Sequence, residues 1–249
     1  MANFINYPQY LLSRIADLIF PKKCIICGRF NDKNFDGYLC AKCLNTIPIN
    51  HSFGCIGCKR PVALGKTCRL CAKTNHIDQL LVAADYKNQD LIKIIKLFKY
   101  RFIKELGLPL SLLTKKYLVY LARAKKLNFL EENPLALPVP LSNKRLNWRG
   151  FNQSDILADL LAENFHLEKV TGVISRTGNS KPQAEIEEKD KRLDNLSGLF
   201  RISCADKITN KNILLIDDVC TTGATLNECA KILKEAGVKR VTGLVIARG

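Results

Sequence analysis

The chain has 249 residues, 47% of them apolar and 25% charged, with 39 basic against 23 acidic side chains for a net charge of +16. That balance suits one ordinary folded domain with a small appendage and excludes a disordered, collagen-like or coiled-coil chain. No run approaches the roughly 18 uninterrupted apolar residues of a membrane span, and the start MANFINYPQY lacks the basic head and apolar stretch of a secretory signal, so the expected location is cytoplasmic.

The basic surplus is uneven. Residues 1–80 hold 11 basic and 4 acidic side chains, residues 81–150 hold 14 and 5, and residues 151–249 hold 14 of each. The excess therefore sits in the first three-fifths of the chain, as on a polyanion-binding surface, although an ordinary basic soluble protein would also carry it.

In chain order, Tyr10, Leu11, Leu12, Ile15, Leu18 and Ile19 recur at helical spacing until Pro21, predicting an amphipathic helix within residues 1–22. Such a stripe packs against its own protein or a partner. Residues 23–75 form a cysteine-rich module. Eight of the 11 cysteines make four CxxC pairs, Cys24/Cys27, Cys40/Cys43, Cys55/Cys58 and Cys68/Cys71, within 48 residues. A CxxC turn aims two thiolates at one point, and two turns complete a tetrahedral Zn²⁺ site. The segment has too few large apolar side chains to fold without metal. An all-cysteine set leaves no open position for water, so the zinc is structural. The pairs can combine sequentially or in a cross-brace; the short gaps favour two consecutive ribbons. Lys42, Lys59, Arg60, Lys66, Arg69 and Lys73 surround the knuckles, fitting either nucleic-acid contact or a stapled platform.

Residues 76–249 alternate strand and helix. Strands are predicted over 77–85, 135–140, 170–175, 199–202, 212–217 and 240–247. Helices are predicted over 89–98, onward to about 126, over 152–164 and over 224–235, with a basic loop between 140 and 152. This pattern specifies an α/β fold with a parallel sheet flanked by helices, whose ligands bind outside the carboxyl ends of the strands. Lys93, Lys96, Lys99, Arg101 and Lys104 recur every two or three residues, as a solvated helix face or a track for single-stranded DNA.

The strongest chemical signal is Ile213-Leu214-Leu215-Ile216-Asp217-Asp218-Val219-Cys220-Thr221-Thr222-Gly223-Ala224-Thr225. Four aliphatics make a buried strand; a loop of small and hydroxyl residues then opens a helix whose N-terminus cradles an anion. Gly223 permits close backbone approach to a phosphate. Asp217 and Asp218 would repel phosphate and instead suit the hydroxyls of a ribose 5-phosphate. No G-x-x-x-x-G-K-[ST] is present, so this is not a nucleotide P-loop.

The string resembles the phosphoribosyl-pyrophosphate loop of type I phosphoribosyltransferases. The segment from Leu137 to Gln153, LPVPLSNKRLNWRGFNQ, together with Gln183, Arg192, Asn195, the CxxC ribbons and Phe98-Lys99-Tyr100-Arg101, is similar to the ComF family, which is linked to DNA uptake in competent bacteria. Ile186 replaces the family's usual leucine after Gln183.

The resemblance implies a type I phosphoribosyltransferase fold behind a zinc-ribbon module, binding phosphoribosyl pyrophosphate with Mg²⁺. Carried over, Asp217 and Asp218 hold the ribose hydroxyls and Val219–Thr225 holds the 5-phosphate. Leu141, Ser142 and Asn143 occupy the pyrophosphate position, and Arg176 opens a mobile loop to Arg192. Asp217, Asp218 and Arg176 are the implied catalytic set. Lys99, Arg101, Arg145, Trp148 and Arg149 are the nucleic-acid candidates, with Trp148 serving either to stack a base or to anchor the next helix. Expected partners are single-stranded DNA and proteins of DNA uptake or recombination. Three readings stay open at this level: catalytic transfer, a non-catalytic sensor in a DNA-handling protein, and nucleotide salvage.

Overall fold

The computed structural model describes residues 22–30, 37–124, 127, 132–177 and 198–249. The predicted N-terminal helix and Gln183, Arg192 and Asn195 lie outside them. Contacts divide the chain into two units, Met1–Ile47 and Pro48–Gly249.

In the first unit, Lys23 and Phe30 bridge antiparallel around a knuckle in which the Gly28 N–H donates to the Cys24 carbonyl at 2.9 Å. A short helix α1 (Ala41–Thr46) follows, capped by the Cys40 thiol, which accepts from the Cys43 N–H.

The second unit is built on a four-stranded parallel sheet of β1 (Gln79–Asp85), β2 (Leu135–Pro138), β5 (Asn212–Cys220) and β6 (Arg240–Arg248), in the order β1-β6-β5-β2. The central strand β5 reads Ile213 to Ile216 without a break because both faces are covered. Ile213 and Leu215 join one core cluster with Leu226, Cys229 and Leu233 of α6 (Ala224–Glu235). Leu214 and Ile216, equally buried, point the other way by strand alternation. Helices α2 (Gln89–Tyr100), α3 (Gly107–Ala124) and α5 (Gln153–Phe165) supply further buried stripes, among them Leu91, Ile94, Ile95 and Phe98 of α2. A separate antiparallel pair joins β3 (Ile174–Arg176) to β4 (Phe200–Ile202).

The segment before β1 runs along its outer edge: Ile49 bridges Ala84, Lys66 bridges Gln79, and the Asn50 N–H donates to the Ala83 carbonyl at 2.8 Å. Along β2, Ala136 is bracketed by bonds to Glu168 and Val170 at 2.8 and 3.0 Å.

The structure departs from the sequence reading in three places. The basic loop is a helix, α4 (Asn143–Arg149), which Ser142 caps at one end and left-handed Gly150 closes at the other. It buries no side chain, so it has no apolar stripe to reveal it. The strand expected over 170–175 is shortened to Ile174–Arg176, with Val170 bonded to the β2 edge instead. Strand β5 continues through both acids to Cys220, because Asp217 and Val219 stay in register with Val245 and Ala247 of β6.

Candidate functional site

The eight paired cysteines gather as two sequential sets, Cys24/Cys27/Cys40/Cys43 in the first unit and Cys55/Cys58/Cys68/Cys71 in the second, the sulfurs of each set lying within 4.8 Å of one another. Cys27 and Cys40 are 3.9 Å apart, Cys58 and Cys68 3.8 Å. Four sulfurs at about 2.3 Å from a tetrahedral zinc stand about 3.8 Å apart, so both sets fit that ion. Their acidity agrees. Burial alone would raise the Cys55 thiol, but N–H donors from Cys68, Cys58 and Gly57 bring it down to about 6; Cys24 behaves alike through Cys40, Cys27 and Ile26. Neighbouring sulfur, Cys68 first, pushes Cys71 up to about 12, and burial followed by its sulfur neighbours does the same to Cys43. The sulfurs of each set disfavour one another's ionisation, and a zinc ion held among them would offset that repulsion.

At the carboxyl ends of β2 and β5 lies a cleft of about 560 Å³. Its floor is the acid pair. The Asp217 Oδ1 accepts from the Ser154 hydroxyl at 2.8 Å and from the Asp218 N–H at 2.9 Å. Asp218, 6% exposed, accepts from the Val219 N–H at 2.6 Å and pairs with the Lys99 ammonium at 2.9 Å. Burial, and then the Asp218 carboxylate, push the Asp217 carboxyl up to about 7 against the opposing pull of Lys99 and Ser154. Burial works to lower the Lys99 pKa, yet Asp218 and then Asp217 hold it above its ordinary value.

The walls carry cations. Arg145, Arg149 and Arg176 all face the cleft. Arg149 donates to the Gln153 Oε1 at 3.0 Å while its Nε is buried without a partner. Burial lowers the Arg149 and Arg176 guanidinium pKa values from their usual range, Arg145 adding to the effect in each. Arg176, at the end of β3, stacks over the Phe200 ring at 5.4 Å.

The predicted residues divide accordingly. Val219, Thr221 and Thr225 face the cleft with the two acids, and Leu141 and Ser142 face it from the β2 side, where Asn143 begins α4. Cys220 and Ala224 are buried, and the Thr222 hydroxyl accepts from the Ala224 N–H at 3.3 Å. Gly223 has φ +84°, and a β-carbon there would stand 2.9 Å from Ile56 of the second zinc knuckle, so its freedom serves the turn and this contact. Arg101 is exposed beyond α2. Trp148 is 58% exposed and anchors no helix; it meets Phe102 edge-on at 5.2 Å and Tyr100 at 6.3 Å, with Arg149 over both Tyr100 and Trp148.

One contributor, Ser154, escapes sequence reasoning, and Lys99, expected as a nucleic-acid contact, instead pairs with Asp218 in the cleft. Ser154 is a buried serine in the first turn of α5, and only its place next to Asn152-Gln153 hints at a site. Lys99 shares its spacing with exposed Lys93 and Lys96, which conceals its turn into the cleft. Replacing Lys99 by methionine is expected to cost about 3 kcal/mol in denaturant unfolding, because it leaves a buried carboxylate unpaired. Adding Asp218→Asn should recover most of that loss; no recovery would show that the pair is not the cause.

Comparison with known proteins agrees with both halves. A double zinc ribbon domain matches residues 15–72, and a phosphoribosyl transferase domain matches residues 149–249. The chain thus carries a phosphoribosyl transferase domain match behind a double zinc ribbon match, in keeping with its parallel sheet and its two tetracysteine sets. Competence protein F of Haemophilus influenzae is 27% identical over 86% of this chain and 99% of that protein. Competence protein ComFC of Bacillus subtilis is 28% identical over 81% and 80%, and DNA utilization protein YhgH of Escherichia coli is 28% identical over 82% and 93%. The protein is a homologue of this competence protein F, ComFC and YhgH group. Among the described residues, no helix is long and apolar enough to cross a membrane.

Proposed function

We propose that the cleft binds phosphoribosyl pyrophosphate, or a related ribose 5-phosphate ligand, with Mg²⁺, and that the protein acts on incoming single-stranded DNA during transformation. The observation that carries the reading is the acid pair on the cleft floor, with Thr221 and Thr225 at the start of α6 on one side and three arginines on the walls. Asp217 and Asp218 accept hydrogen bonds from the ribose hydroxyls. The Val219–Thr225 segment holds the 5-phosphate with its hydroxyls and the N-terminal field of the 12-residue α6. Leu141 to Asn143 border the pyrophosphate, with Arg145 and Arg176 opposite its charge. Carboxylates and hydroxyls are the hard oxygen donors Mg²⁺ prefers; when bound, the ion neutralises charge on the pyrophosphate. Transfer would displace pyrophosphate from ribose C1, and these residues would contribute by positioning and by fixed charge. Titrating phosphoribosyl pyrophosphate and Mg²⁺ into zinc-loaded protein tests the reading: heat is expected from the native chain, and its absence in folded protein would overturn the proposal.

The DNA part rests on the rim. Tyr100, Phe102 and Trp148 are 54%, 37% and 58% exposed, and Arg149 lies over the Tyr100 and Trp148 rings. Aromatic faces beside guanidinium groups bind single strands by stacking and by phosphate contact, each stacked base contributing about 1–3 kcal/mol. The names of the relatives, competence and DNA utilization, point the same way. Trp148→Ala is expected to weaken single-stranded DNA binding about tenfold and to leave its salt dependence unchanged, since stacking releases no counterions. Fluorescence anisotropy at two salt concentrations reads both quantities, and unchanged affinity would remove the rim from the interface.

A further inference from the structure

The second zinc knuckle touches the loop at the cleft. Between Pro48 and His76 the buried apolar side chains are Cys55 and Ile56 alone, so this ribbon has no core of its own to hold its shape. Ile56 is fully buried; its Cγ1 fills the space where Gly223 lacks a β-carbon, and it joins the core cluster with Cys220 and Leu226. Arg248, at the end of β6, donates through Nη1 to the Cys55 carbonyl at 2.9 Å and through Nη2 to the Ile56 carbonyl at 2.5 Å. Lys59 donates to the Gly249 carbonyl at 3.1 Å, and the Gly249 N–H returns to the Cys220 carbonyl at 3.0 Å. The turn carrying two zinc ligands and the turn after the acid pair are thus joined by one packed side chain and a closed run of hydrogen bonds.

We infer that zinc at Cys55/Cys58/Cys68/Cys71 sets the conformation of the 220–225 loop, with Ile56 as the positioning residue, so that metal occupancy and ligand binding in the cleft are energetically coupled. The link to ligand rests on the function proposed above; the link between metal and loop does not. With the thiolates held on zinc, the Cys55–Cys58 turn presents Ile56 to Gly223 in one position. With zinc gone, that turn keeps its bonds to Arg248 but loses the anchor of its two thiolates, and Ile56 is held less firmly against the left-handed Gly223. By reciprocity, a ligand that orders the loop favours the metal-bound ribbon by the same factor.

Amide hydrogen exchange across residues 220–225 tests the link on the full zinc-loaded chain. Ile56→Ala should retain both zinc ions while raising exchange in this segment about tenfold, and should weaken phosphoribosyl pyrophosphate binding about fivefold or more. Ile56→Val should restore most of both. In the native chain, exchange across 220–225 should rise as a chelator withdraws zinc. Unchanged protection of 220–225 in zinc-loaded Ile56→Ala, or in the chelated native chain, would overturn the inference. If the native chain binds no phosphoribosyl pyrophosphate, the proposed ligand fails and the exchange result still decides the coupling.

Discussion

Asp217→Asn together with Asp218→Asn is expected to reduce affinity for phosphoribosyl pyrophosphate by at least a hundredfold while leaving single-stranded DNA binding at the native level. Each carboxylate that accepts a hydroxyl proton makes a charge-assisted bond of about 1.5–3 kcal/mol, and two such losses are a hundredfold or more. The substitution also leaves the Lys99 ammonium without its carboxylate at 2.9 Å, so the variant should be paired with Lys99→Met to keep it folded. The same site predicts a pH dependence. Asp217, held near pH 7 by burial and by Asp218, is protonated below that pH and loses acceptor capacity. Ligand affinity should therefore fall below pH 7, by up to about tenfold per unit, and level off above it. The stability effect has the opposite sense. A carboxyl whose folded pKa is raised takes up a proton more readily in the folded chain, so its contribution is most favourable below the ordinary value of 3.8 and is lost as pH rises through about 7. Calorimetric titrations at pH 6, 7 and 8 read the first trend. Affinity that is flat across this range in the native chain would remove Asp217 from ligand binding.

Loss of the second zinc site should be the most destabilising single change in the protein. Structural zinc contributes on the order of 10–16 kcal/mol to small domains, comparable to the whole stability of an ordinary one. Cys68→Ser removes a ligand whose sulfur lies 3.8 Å from that of Cys58 and whose N–H donates to the Cys55 sulfur at 3.4 Å. The variant should carry one zinc ion instead of two. It should also lose exchange protection throughout residues 53–75, where no apolar core remains to substitute for the metal. Atomic absorption and hydrogen exchange together decide this, and a fully protected ribbon with a single zinc would refute it.

Much of the fold and of the site is legible in the sequence. The aliphatic run into Asp217-Asp218 and the small residues around Gly223 carry their own geometry, and β5, the turn and α6 fall where those residues require. The CxxC spacing leaves a cross-brace open but favours the two sequential cysteine sets that the sulfurs form. Helix α4 was hidden because its signals are only the caps Ser142 and Gly150, with no buried face between them. The role of Lys99 was hidden because helical spacing records the turn of the helix and not what waits at its end, here Asp218. The seat of Ile56 on Gly223 joins positions 167 residues apart in the sequence, and no local pattern reports such a contact.

The lines of bonding along both margins of the sheet have a consequence for the company this protein can keep. An open strand edge is a template on which other chains add strands, whether as specific partners or as aggregates. Here Ile49 and Lys66 occupy the β1 margin, and Lys169 and Val170 occupy the β2 margin at Ala136. A partner peptide that seeks backbone pairing finds those positions taken and must dock through side chains. The protection at β1 is lent by the segment that holds the second cysteine set. In a cell short of zinc, the same sheet would offer a bare margin, and the newly made chain would be prone to self-association.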